Sequence, residues 1–84
     1  MSYRLGISSS AEREMRALSK DILQRIHQRI SRLQEQPFAA GTRKLAGGSG
    51  YRVRVGDYRI IYVVDQADPA VTIVHVRHRR EAYR

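Results

Sequence analysis

The sequence predicts an α+β fold: an N-terminal strand, a two-helix hairpin, then an antiparallel three-stranded β-meander, with the helices packed on one face of the sheet. Three observations carry this. Apolar residues recur at three- or four-residue spacing from 11 to 33, strict alternation of polar and apolar residues begins at Tyr51, and a Gly-Asp pair separates two β-rich runs. At 84 residues the chain is read as a single domain, 1–84, with one thin core, because a chain of this size buries only about 60 to 65% of the surface it exposes when unfolded.

Residues 3–8 alternate, with Leu5 and Ile7 on one face, and predict a short strand. Ser9-Ser10-Ala11-Glu12 follows as a capping-box pattern, in which Ser9 accepts from the Glu12 amide and starts a helix. Ala11, Met15, Leu18, Ile22, Ile26, Ile30 and Leu33 form one helical stripe with charged residues on the other faces. Ser19, followed by Asp21, is a good internal N-cap and divides the stripe into two helices. Pro37 stops the second, and Gly41, Gly47, Gly48 and Gly50 make the next stretch a loop. Residues 51–55 and 58–65 then form a hairpin about Gly56-Asp57; the second strand is nearly continuous in β-branched and aromatic residues, as expected of a central strand. After a turn at 66–69, residues 70–77 supply a third strand, and 79–84 form a polar tail.

Charge gives the first functional signal. Sixteen Lys and Arg against 8 Asp and Glu leave a net charge of +8. Up to Thr42 there are 7 basic and 4 acidic residues, a net of +3, and from Arg43 on there are 9 and 4, a net of +5. The excess leans toward the meander, and a pI near 10.8 with clustered arginines is the footprint of a nucleic-acid partner, a plain solubilising surface being the alternative. The absence of cysteine rules out disulfides and thiolate metal sites and suits a reducing cytosol. No run approaches the roughly 20 apolar residues of a membrane span, and Met1-Ser2-Tyr3-Arg4-Leu5 lacks a signal-peptide core, so the chain is expected in the cytoplasm. No paired histidines, metal-ligand cluster, nucleophilic triad or P-loop is evident, and no cofactor is expected; Gly47-Gly48-Ser49-Gly50 reads as a flexible connection. His27 and His75 have no partner at recognisable spacing and read as structural or surface residues.

A two-residue loop at Gly56-Asp57 pairs Val55 with Tyr58, Arg54 with Arg59, Val53 with Ile60 and Arg52 with Ile61. Arg52, Arg54 and Arg59 then share a face, and Tyr51, Val53, Val55, Ile60 and Tyr62 project from the other. Like charges placed directly opposite are destabilising, so Arg54 against Arg59 needs a bound phosphate, side chains splayed into water, or neutralisation by Asp57. A four-residue loop at 66–69 pairs Asp65 with Ala70 and carries Val74, Val76 and His78 onto the Arg59 face, with the tail at its edge.

Lys44-Leu45, Tyr51-Arg52-Val53-Arg54-Val55, Asp57-Tyr58-Arg59-Ile60-Ile61-Tyr62 and Val76-Arg77-His78-Arg79-Arg80-Glu81-Ala82-Tyr83-Arg84 occur in this order after a strand and a helical hairpin. Together they resemble the RelE family of the RelE/ParE toxin superfamily over almost the whole chain. The resemblance implies a toxin that enters the ribosomal A site and cleaves the messenger RNA there. A cognate acidic, RelB-like antitoxin would hold it inactive in a hetero-oligomer. Arg59 and Arg79 match the family's phosphate-binding catalytic arginines, and Tyr83 its C-terminal tyrosine. Arg52 and Arg54 stand where the best-known members carry lysines. Lys44 and Arg43 lie in the basic segment before that strand, and with Arg77 and Arg80 they are expected to contact RNA.

The reaction implied is attack of a ribose 2′-hydroxyl on the adjacent phosphorus, which needs a base, cations for the phosphorane and an acid for the leaving oxygen. Arginine suits only the second task, because its pKa lies above about 12. Proton transfer is left to Tyr83 or His78, or else the reaction depends mainly on electrostatics and on substrate orientation by the ribosome; for His78, plain phosphate contact is the alternative role. Two other functions compete: a ParE-like DNA gyrase inhibitor, and a non-catalytic RNA- or ribosome-binding module. The sheet lacks an obvious ladder of exposed aromatics for the last.

Overall fold

A computed structural model describes residues 2–39, 41–45, 48 and 50–78. It is α+β, with elements in the order β1 (Arg4–Ile7), α1 (Ser9–Arg16), α2 (Lys20–Glu35), β2 (Thr42–Lys44), β3 (Tyr51–Val55), β4 (Tyr58–Asp65) and β5 (Ala70–His78). The strands form one sheet in the order β1-β5-β4-β3-β2. β1 runs parallel to β5, and the other neighbours are antiparallel. The expected meander is therefore the centre of a wider sheet. β2 was unforeseen: three residues of a stretch read as loop pair with β3 because Gly41, at φ 94°, turns the chain back along that edge.

The two helices form where the stripe and the caps predict them. Ser19 caps α2, its hydroxyl accepting from the Ile22 amide at 3.4 Å. The cap of α1 is Ser8 and not Ser9. The Ser8 hydroxyl accepts from the Ala11 amide at 3.0 Å and donates to the Val74 carbonyl at 2.7 Å. That second bond to β5 is a tertiary reason for the one-residue difference, invisible to a local capping pattern.

The helical stripe packs on one face of the sheet. Ala11, Met15, Ile26, Ile30 and Leu33 meet Val53, Ile60, Tyr62, Val71, Ile73 and Val76 in the core. Tyr62 is fully buried, and its hydroxyl donates to the Pro37 carbonyl at 2.6 Å, which ties the end of α2 to β4. Burial pushes the Tyr62 phenol above its ordinary pKa, partly countered by the Thr42 hydroxyl and Arg29. Leu5 and Ile7 pair with Val71 and Ile73 but lie at the sheet edge, still 40% and 37% exposed. No helix among the described residues is long and apolar enough to cross a membrane.

The hairpin register of β3 and β4 is the predicted one, from Val55 opposite Tyr58 to Tyr51 opposite Tyr62. Gly56 takes φ 58° in its turn. Along β4 and β5 the pairing starts as expected at Asp65 and Ala70, then shifts: Tyr62 pairs with Ile73, but Ile61 pairs with His75. Val74 is the extra residue of a β-bulge, and every residue beyond it changes face. This corrects the expectation for three residues. Val76 enters the core, His78 pairs with Tyr58, and Arg77 comes to lie opposite Arg59.

Candidate nucleic-acid interface

With the helices on one side, the other side of the sheet carries the arginines. The paired positions form two rows across the strands. Arg54, Arg59 and Arg77 are successive partners on β3, β4 and β5. Arg43, Arg52, Ile61 and His75 are successive partners on β2, β3, β4 and β5. Five guanidinium groups thus project from four adjacent strands, rooted about 5 Å from their cross-strand partners. Gly41, Arg43, Arg52, Val53, Arg54 and Arg59 line a shallow depression of about 120 Å³ between them.

The sequence-predicted site residues divide into three groups. Arg52, Arg54 and Arg59 are together as expected, joined by Arg43 and Arg77. Lys44 and His78 are on the opposite side of the sheet: Lys44 pairs with Tyr51, and the His78 ring meets Tyr58 edge-on, with centroids 5.3 Å apart. Arg79, Arg80 and Tyr83 lie outside the described residues.

Two features were not anticipated. Arg25, Arg29 and Arg32 sit at i, i+4 and i+7 on α2 and, with Gln28, Arg54, Val55 and Gly56, line a second depression of about 290 Å³ beside the hairpin. A Cβ on Gly56 would lie 3.4 Å from an Arg25 guanidinium nitrogen, and one on Gly41 3.4 Å from an Arg29 guanidinium nitrogen. The helical cations are therefore seated against the two glycines that flank the arginine face. Their spacing was legible in the sequence as a helical stripe. The second feature, Glu14, was not. From α1 this carboxylate reaches the end of both rows, pairing with Arg77 at 3.0 Å and with His75 at 3.3 Å. Burial raises the Glu14 pKa, but the Val76 amide, Arg77 and His75 together outweigh it and hold the carboxyl below its ordinary value. No group of three or more His, Cys, Asp or Glu residues among the described residues is arranged to hold a metal ion.

The family model for the ParE toxin of type II toxin–antitoxin systems, parDE, matches residues 5–83. The chain belongs to this RelE/ParE toxin family. It is similar to Toxin RelG of Mycobacterium tuberculosis, 31% identical across 100% of this chain and 99% of the relative. Among solved structures, an archaeal RelE–RelB complex from Pyrococcus horikoshii superposes with a TM-score of 0.83 at 29% identity, covering 94% of this chain and 97% of the other. A toxin–antitoxin complex of the RelBE type from M. tuberculosis superposes with a TM-score of 0.84 at 23% identity, over 93% and 99% of the two chains, and shares the fold. The five-stranded sheet with its open arginine face is thus the sheet of a type II toxin.

Proposed function

We propose that this toxin is a ribosome-dependent endoribonuclease that cleaves messenger RNA in the A site and so arrests translation. The observation that carries the reading is the convergence of Arg52, Arg54 and Arg59 with Arg43 around one depression of the open face, with Arg77 the cross-strand partner of Arg59 beyond it. Guanidinium forks match phosphate oxygens in bidentate geometry, and such a set stabilises the dianionic phosphorane formed when the 2′-hydroxyl attacks. Arginine does not exchange protons at neutral pH, so the clamp supplies charge and positioning. His78, turned toward Tyr58, stands apart from the clamp. Proton transfer then falls to Tyr83, the C-terminal tyrosine of the family pattern, while electrostatics and alignment of the ribose by the ribosome supply rate without moving a proton. Arg79 and Arg80 extend the phosphate contacts from the tail, and Lys44, on the other side of the sheet, stands apart from the clamp.

The partner in the resting state is an acidic, RelB-like antitoxin in a toxin–antitoxin hetero-oligomer in the cytoplasm. Solved relatives are RelE–RelB complexes, and an acidic segment that folds on this surface would cover its cations. The test is primer extension in a purified translation system. Codon-phased cuts that require ribosomes are expected; an intact message on arrested ribosomes would refute cleavage. Supercoiling by DNA gyrase, measured in parallel, addresses the ParE reading that the family model's own description raises.

A further inference from the structure

At the junction of α1 and β5 four groups close a ring. Glu14 Oε1 accepts from the Val76 amide at 3.0 Å and lies 3.3 Å from His75 Nδ1. Glu14 Oε2 accepts from Arg77 Nε at 3.0 Å, and Arg77 Nη2 lies 3.4 Å from His75 Nε2. A carboxylate only accepts and a guanidinium only donates. His75 fits between them as the tautomer with Nδ1–H toward Glu14 and Nε2 toward Arg77.

The ring constrains the guanidinium. Its Nε–H and one Nη2–H are committed, and the plane of the group is set by two partners. Both Nη1 protons and one Nη2 proton are left for an anion. Arg77 is the cross-strand partner of Arg59, which is the partner of Arg54. The Cα positions of three arginines in such a row span about 10 Å between the outer strands, at the usual strand spacing. That is longer than one phosphate. An RNA backbone with one phosphate between Arg54 and Arg59 would bring the next phosphate toward Arg77.

We propose that Glu14 is a positioning residue of the RNA site: by fixing the Arg77 guanidinium at the β5 end of the row that holds Arg54 and Arg59, it builds a subsite for the phosphate adjacent to the scissile one. This rests on the RNA-cleavage reading above. Glu14 touches no substrate and acts through Arg77. It also offsets the repulsion between Arg59 and Arg77, which would otherwise turn the third guanidinium of the row away into water.

The test is a double-mutant cycle of Glu14→Gln and Arg77→Ala, with cleavage of message on programmed ribosomes as the readout. Each single variant is expected to raise KM roughly ten-fold, a coupling typical of residues in contact, with kcat little changed. The double variant should be no worse than Arg77→Ala alone. Effects that multiply instead, or a fall in kcat with KM unchanged, would overturn the proposal. Arg77→Lys keeps the charge but loses the Nε anchor and the planar fork; full rescue by lysine would show that charge alone matters and would also overturn it. Should Glu14→Gln not fold, Arg77→Ala and Arg77→Lys still decide, because an unchanged KM in both refutes the subsite. The same cycle is read by fluorescence anisotropy with a short 2′-O-methyl RNA, which cannot be cleaved by 2′-hydroxyl attack. Coupling there supports the subsite even if no cleavage occurs on ribosomes, and its absence sinks the subsite while leaving the cleavage reading to its own assay.

Discussion

Two adjacent rows of the same sheet have opposite physics. Val53, Ile60 and Val76 are cross-strand partners on β3, β4 and β5, each no more than 3% exposed, and they lie under the helices. One residue along each strand, Arg54, Arg59 and Arg77 are partners in the same register on the open face. The first row gains from burial at about 25 cal/mol per Å². The second sets like charges opposite one another, at a cost of about 0.2–1 kcal/mol per pair. Stability and anion recognition are thus separated by side-chain parity alone, and a substitution at neighbouring positions should affect one and spare the other.

The largest effect is expected at Ile60. Ile60→Ala removes a side chain with no exposure from the centre of the covered row and should cost about 2–5 kcal/mol. That is a large fraction of the roughly 5–15 kcal/mol available to a small domain. Urea unfolding measures it, and a loss below about 1 kcal/mol would mean that the two rows are not energetically distinct. One residue earlier the pattern should invert. Arg59→Ala is expected to lower cleavage about 100- to 1,000-fold, with the unfolding midpoint little moved and antitoxin binding retained. Arg79→Ala should behave likewise. Cutting that persists in both variants would remove the charge clamp from the mechanism.

Between the rows stands Glu14, which belongs to the covered layer but pairs with the open one. Its carboxyl is held below the ordinary value of 4.5, so the folded protein binds fewer protons there than the unfolded chain. The stability it contributes is complete above that ordinary value and is lost as pH falls through the lower folded value. Stability measured against pH should therefore drop more steeply below about 4.5 in the wild type than in Glu14→Gln. Superimposable acid arms would show that the carboxylate contributes nothing to the joint between α1 and β5.

What could be read in the sequence follows from the range of each interaction. The hairpin register needed only Gly56-Asp57 and the alternation around it, and it placed Arg52, Arg54 and Arg59 on one face as the structure has them. The division of the helices at Ser19 was equally local. The N-cap at Ser8 depended on Val74, and the strand at Thr42–Lys44 depended on β3 as a partner. The bulge left no clear trace: buried positions on β5 run 71, 73 and 76, so the spacing of two lengthens to three, but apolar Val74 lies between them and hides the step in the sequence. Missing that step put His78 on the arginine face in place of Arg77. Glu14 could not be found from spacing at all, since its partners lie more than 60 residues away.

The smallest expected effect is the one that most directly tests opposed charge in the open row. Arg54 is exposed and paired with Arg59, and threonine is a good strand residue, so Arg54→Thr should stabilise the fold by about 0.2–1 kcal/mol while weakening RNA binding. The same variant should reduce the salt dependence of binding, with the slope of log K against log salt falling by about 0.7 for one lost contact to a single strand. Gain of stability with loss of slope is the signature of a charge kept for its ligand. A loss of stability would mean that a carboxylate, Asp57 at the adjoining turn being the nearest in sequence, already neutralises Arg54, and the clamp would then rest on Arg52 and Arg59.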